Sequence, residues 1–215
     1  MKSSGTTAAT TVSQLRCEYL CNPQGIDDRA PRLSWTLDAA RRGARQIAYR
    51  LRVASSADKL AAGEGDRWDS GRIESHQTTQ VVYAGPPLCS REVCHWNVEV
   101  WDETGGMTKS PAALWTVGLL EKSDWSAKWI AADPEIIKRD QEAIAPTLRD
   151  CGTPALFRKE FEISGTIKRA TIYASARGIF ELRANGRRIG ADVFAPEWTD
   201  YDRRINTAPT MSPHC

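Results

Sequence analysis

Residues 196–201 set Pro196, Glu197, Trp198, Thr199, Asp200 and Tyr201 side by side. An aromatic ring among acidic and hydroxyl groups suits a sugar, because the ring stacks on the apolar face of the pyranose while the polar groups take its hydroxyls. The same Trp198 also reads as a plug closing the bottom of a β-sandwich, and the sequence leaves both readings open. Cleaving a glycosidic bond asks for more: two carboxylates facing each other across it, one held protonated by its surroundings. Glu181, Asp192, Glu197, Asp200 and Asp202 are the candidates. Most fall at outward strand positions or in turns, where a carboxylate is simply solvated, so no catalytic residue is expected here.

Other chemistries find less support. His95 lies on the polar face of a strand pattern with no Cys, Ser or Asp partner in view. There is no Gly-rich phosphate loop, no nucleophile elbow and no His pair at metal spacing. The six cysteines are Cys17, Cys21, Cys89, Cys94, Cys151 and Cys215. The gaps within Cys17/Cys21 and Cys89/Cys94 fit a zinc site poorly, and a chain this long and apolar needs no disulfide staples, so reduced thiols are expected. A net charge of +2 gives no electrostatic case for nucleic acid or an anionic membrane. No apolar run is long enough to span a bilayer. The opening MKSSGTTAATTVSQ lacks the apolar core of a signal peptide, so residues 1–13 read as a disordered tail and the location as cytoplasmic; a misplaced start would leave secretion or the periplasm open.

Period-two alternation dominates the elements that must carry these residues. Ile47, Tyr49, Leu51 and Val53 share one face of a strand at 46–54; Cys94, Trp96, Val98 and Val100 share one face at 93–102. Trp115, Val117 and Leu119 line up at 114–119, and shorter strands are expected at 32–37 and 79–84. Turn signals separate them, such as Asn22-Pro23-Gln24-Gly25 and Thr104-Gly105-Gly106. One short helix is expected at 56–62, with Ser56 as its N-cap. Trp35, Trp96 and Trp115 lie on apolar faces and read as core pillars, whereas Trp101 points to the polar side. About seven short strands over roughly a hundred residues make an immunoglobulin-like or fibronectin-type sandwich. An irregular connector at 121–154 follows, with one helical turn near 136–144.

A second strand set begins at 155. Phe157, Phe161 and Ile163 alternate with Arg158, Glu160 and Glu162; a strand at 168–176 turns Ile172 and Ala174 inward; Phe180, Leu182 and Ala184 share a face before the hairpin turn Asn185-Gly186. Residues 193–194 and 198–205 could add strands, while 206–215 lack alternation and read as a divergent tail. Five or so strands in about fifty residues leave long open edges, so this second unit reads as incomplete and marginal.

Leu15-Arg16-Cys17-Glu18-Tyr19-Leu20, Pro31-Arg32-Leu33-Ser34-Trp35, Trp68-Asp69-Ser70-Gly71 and Trp96-Asn97-Val98-Glu99-Val100-Trp101-Asp102 together resemble the opening of bacterial α-L-rhamnosidases, a family of glycoside hydrolases. The likeness continues through Trp125-Ser126-Ala127-Lys128-Trp129-Ile130, Phe157-Arg158-Lys159-Glu160-Phe161 and Ala195-Pro196-Glu197-Trp198-Thr199-Asp200-Tyr201. It implies an all-β chain: a fibronectin type III-like β-sandwich at 14–120, then a truncated jelly-roll of carbohydrate-binding type at 155–205. It implies L-rhamnose-containing glycans as partners, with Asn185, Trp198, Asp200 and Tyr201 as sugar contacts. No cofactor is expected beyond a calcium ion at Asp192 and Asp200, by analogy with related modules that bind rhamnose with calcium. The family's catalytic carboxylates belong to a helical barrel further downstream, so the resemblance implies a non-catalytic N-terminal portion. Two alternatives stand beside it: a free-standing carbohydrate-binding protein and a fibronectin-type protein-interaction module.

Overall fold

The computed structural model describes residues 10–143, 154–167 and 169–212. The first sandwich packs two antiparallel sheets face to face. One sheet joins β1 (Thr11–Cys17), β2 (Arg32–Asp38) and β6 (Val81–Val82) in that order. The other is built on β3 (Gln46–Ala54) and β7 (Val93–Asp102). It takes β4 (Trp68–Asp69) and β5 (Ile73–Glu74) on the β3 side, and β8 (Met107–Lys109) and β9 (Ala113–Thr116) on the β7 side.

Register explains the core. Tyr49, Leu51 and Val53 lie opposite Val100, Val98 and Trp96. Because side chains alternate along a strand, this pairing aims all six into the space between the sheets, where they meet Leu33, Trp35, Cys94, Trp115 and Val117. Trp96 and Trp115 contact edge to face at 6.4 Å, and Tyr83 meets Trp115 the same way at 6.1 Å. The three tryptophans expected as pillars are therefore core residues. Ile47 departs from its expected face: the register slips between Gln46 and Ala48, and Ile47 sits in the bulge with only partial burial.

The outer face of the β3–β7 pair carries charge in pairs. Arg50 binds Asp69 through two hydrogen bonds of 2.8 and 2.6 Å, and Arg52 meets Glu99 at 2.5 Å. Helix α1 (Ala57–Ala61) packs against β3 and β7 and buries Leu60. Ser56 caps it by accepting the Lys59 N–H, as the sequence predicts. Trp101 is half-buried with the Arg72 guanidinium 4.7 Å from its ring centroid, a cation–π contact that accounts for an indole on the polar side.

The chain divides into two compact units, Met1–Asp124 with Arg169–Cys215, and Trp125–Lys168. In the smaller unit, α2 (Pro134–Ala143) runs three turns where one was expected, and Asp133 begins it by accepting the Glu135 N–H at 2.9 Å. The strand expected at Phe157–Ile163 does not form. Phe157, Phe161 and Ile163 are all exposed, and 154–163 pairs with no strand among the described residues. Alternation alone cannot make a strand without a partner to take its N–H and C=O groups.

Beyond the connector, β10 (Ala170–Ala174) pairs antiparallel with β13 (Ala208–Ser212). The latter overturns the expectation of a strandless tail. Its composition hides it, since Pro209 offers no N–H and the alternation is weak, but an edge position tolerates both. At the other end, Thr11 to Ser13 already belong to β1, so the expected tail of 1–13 reaches into the sandwich. The hairpin β11 (Arg183–Ala184) and β12 (Arg187–Arg188) turns at Asn185 and Gly186, both at positive φ (50° and 78°), as a tight primed turn requires. Residues 193–194 and 198–205 form no strand.

Candidate functional site

Between β10 and β13, outside the β11–β12 hairpin, the backbone runs irregularly and is tied by a few hydrogen bonds. Ser175 Oγ donates to the Asn206 carbonyl at 2.6 Å, and the Phe180 N–H to the Ala195 carbonyl at 2.8 Å. The Gly178 N–H donates to Tyr201 Oη at 2.8 Å, which fixes the tyrosine ring from its hydroxyl end. Asp200 opens a turn whose carbonyl accepts the Arg203 and Arg204 N–H groups, while Thr199 Oγ1 donates to the Arg204 carbonyl.

This turn sets Trp198 beside Tyr201, ring centroids 5.8 Å apart at 41°. Trp198 is 85% exposed, so it plugs nothing. An indole held at the surface by a tethered neighbour is available to a ligand, and Phe194, also exposed, lies in the same loop. Asp200 belongs to the turn but its carboxylate faces Arg203 at 3.4 Å. Neither the Asn185 nor the Asp192 side chain makes a hydrogen bond or ring contact with Trp198, Asp200 or Tyr201 among the described residues. Of the residues expected at a sugar site, the structure brings the rings of Trp198 and Tyr201 together, with Asp200 between them in sequence in the same turn.

The described residues gather no group of three or more His, Cys, Asp or Glu fit to hold a metal ion. Asp192 contributes its main-chain carbonyl to Arg188, and Asp200 already has a cationic partner. No helix among the described residues is long and apolar enough to cross a membrane.

Several carboxyls are held below their ordinary range by their partners. Glu181 sits between Arg183 (2.7 Å) and Arg188 (3.5 Å), and the hydrogen bond from Arg183 keeps its carboxyl below the usual range. Arg32 does the same for Glu18, Arg50 for Asp69, and the Ser90 hydroxyl for Asp124. Wherever a described carboxyl departs from its ordinary pKa, it departs downward. A general acid for glycoside cleavage needs the opposite shift. His95 is pushed down by burial and by the nearby Arg169.

A second concavity in the same unit escaped the sequence reading. It is a cleft of about 300 Å³ whose lining includes Arg91, Thr116, Arg169, Thr171 and Tyr173. Its walls come from segments far apart in sequence, and no local motif marks it.

Comparison with known proteins agrees with this architecture. Residues 12–121 match the family model of the Rha78A-like, N-terminal immunoglobulin domain, and 165–209 match that of the α-L-rhamnosidase N-terminal domain. The second match runs into β13, again against reading 206–215 as a divergent tail. An α-L-rhamnosidase of Alteromonas sp. (strain LOR) is 34% identical over 193 residues, covering 88% of this chain and 20% of that protein. One from Streptomyces avermitilis is 36% identical over 198 residues, covering 85% and 18%. Among solved structures, the α-L-rhamnosidase from Dictyoglumus thermophilum superposes with a TM-score of 0.78 at 31% identity, covering 98% of this chain and 24% of that one. The Aspergillus terreus enzyme gives 0.70 at 26%, covering 94% and 22%. The chain spans about a fifth of the length of the curated relatives it matches. An all-β sandwich with this register and core, matched by the family model over 12–121, makes the chain a member of the Rha78A-like N-terminal immunoglobulin domain family.

Proposed function

We propose that these residues form the non-catalytic N-terminal portion of an α-L-rhamnosidase and contribute binding rather than bond cleavage. The observation that carries the proposal is the pair of N-terminal family matches, in order along one chain. The lowered carboxyl pKa values of Glu18, Asp69 and Glu181 support it, because a carboxyl shifted downward is a poorer proton donor to a leaving group. An assay of the purified chain on an aryl α-L-rhamnoside tests it. No turnover above the uncatalysed rate is expected, and hydrolysis abolished by a single carboxylate substitution in this chain would overturn it.

A carbohydrate contact at Trp198 and Tyr201 is the second reading, favoured by the exposed indole and its tethered neighbour. Stacking on the apolar face of L-rhamnose is the chemistry such a ring offers, and a carboxylate such as that of Asp200 can accept a sugar hydroxyl. Titration with L-rhamnose should quench Trp fluorescence in the native chain and not in Trp198→Ala. The same titration with and without calcium shows whether Asp192 and Asp200 recruit an ion. An unchanged response in Trp198→Ala would sink the assignment.

A further inference from the structure

The cleft beside β10 has features of a built site. Arg169, Thr171 and Tyr173 follow one another at every second position, so the strand presents all three on one face. Across from them, Thr116 of β9 is paired with Val93 of β7. The Thr116 hydroxyl accepts the Gly25 N–H at 2.8 Å, which leaves its own proton free to donate. Arg91 is anchored at both ends. Its N–H is shared between the Val117 and Gly118 carbonyls, and its Nη2 donates to the Asp124 carbonyl at 2.6 Å.

Two arginines thus line one cleft, and no Asp or Glu is among its lining residues. Arg169 forms no ion pair among the described residues. The nearby acids are engaged: Glu92 pairs with Arg67 at 2.7 Å, and the Asp124 carboxylate takes the Ser90 hydroxyl and the Glu121 N–H. Arg169 lies close enough to His95 to add, after burial, to the lowering of its pKa. Paired guanidiniums suit a carboxylate, hydroxyls suit further hydroxyls, and a phenol ring suits a pyranose face. A volume of about 300 Å³ lies at the small end of ligand pockets, the size for one sugar residue.

From this lining we infer that the cleft between β9 and β10 binds an acidic monosaccharide unit, a hexuronate, with Arg91 and Arg169 on its carboxylate and Thr116, Thr171 and Tyr173 against its ring. This site is separate from the Trp198–Tyr201 surface and does not depend on it, so either can fail alone.

Calorimetric titration of the full chain with D-glucuronate, D-glucose and inorganic sulfate tests the inference. Saturable binding of glucuronate is expected, with glucose and sulfate each about tenfold weaker or more, one lacking the charge and the other the ring. Arg169→Ala should weaken glucuronate about tenfold. Thr171→Val, at an exposed position, should weaken it severalfold while leaving the melting temperature unchanged. Absence of saturable glucuronate binding overturns the site. Glucose binding as tightly overturns the role of the arginines, and sulfate binding as tightly overturns the sugar. Full affinity in both variants overturns the location.

Discussion

Trp35 Nε1 donates to Gln46 Oε1 at 2.9 Å, and both side chains are buried in the first sandwich. Gln46 also donates through Nε2 to the Ser75 and Gln77 carbonyls at 3.0 and 2.8 Å, so one amide satisfies an indole and two main-chain oxygens. The bulge between Gln46 and Ala48 lies immediately next to this amide, in a strand whose core-facing side is otherwise apolar.

Replacing this amide by a similar apolar shape strands a buried indole N–H and frees two partly buried main-chain carbonyls. Gln46→Leu should destabilise the chain by about 1–3 kcal/mol, the cost of unsatisfied buried donors and acceptors. Urea denaturation followed by Trp fluorescence measures it, and the midpoint should fall with no change in slope.

Asp102 organises the turn after β7. Its carboxylate accepts from the Thr104 hydroxyl, the Thr10 hydroxyl, and the Thr104 and Gly106 N–H groups, and it faces Arg41 at 3.1 Å. These bonds, the Thr104 hydroxyl foremost, outweigh burial and hold its pKa well below an ordinary carboxyl. A carboxyl depressed in the folded state binds its proton more readily when unfolded. Its contribution is therefore complete above the unfolded pKa and lost as pH falls through the folded one. Stability should drop on acidification below about pH 4, and Asp102→Asn should flatten that limb while lowering stability at neutral pH. Thermal melts across the acid range check this.

The four described cysteines divide by burial. Cys17 and Cys94 are buried and Cys21 and Cys89 exposed, all four as free thiols. Burial pushes the Cys94 thiol up to about 12 and that of Cys17 higher still. Iodoacetamide at mildly alkaline pH should alkylate Cys21 and Cys89 in the native chain and leave Cys17 and Cys94 unmodified until denaturant is added, since the thiolate is the nucleophile. Peptide mass spectrometry reads out each position.

Gly186 takes φ of 78° at the second position of the hairpin turn. A β-branched side chain there is strained by its own Cβ, although nothing lies within 4 Å to clash with it. Gly186→Val should cost about 1–2 kcal/mol locally and appear as faster amide exchange at Ile189, whose N–H binds the Leu182 carbonyl across the turn. Unchanged exchange there would contradict this account of the turn.

The first sandwich was legible because alternation, turn chemistry and burial agree along it. The faces expected at 46–54 and 93–102 are the faces that meet in the core, apart from Ile47, where a bulge interrupts the period. Alternation failed at Phe157–Ile163, where no strand pairs with the segment, and lack of alternation misled at Ala208–Ser212, where β10 does. Whether a segment becomes a strand is settled by the chain that lies beside it, and a local pattern does not contain that neighbour.

The candidate sites divide along the same line. The sequence by itself determined the all-β class, the pillars Trp35, Trp96 and Trp115, the Ser56 cap, and the Asn185-Gly186 turn, because each follows from local sterics or local periodicity. Only the tertiary structure decided that Trp198 stands in solvent beside Tyr201, and that Arg91 and Arg169, 78 positions apart, border one cleft. Exposure and convergence are properties of a folded surface, assembled by strand pairings between residues distant in sequence.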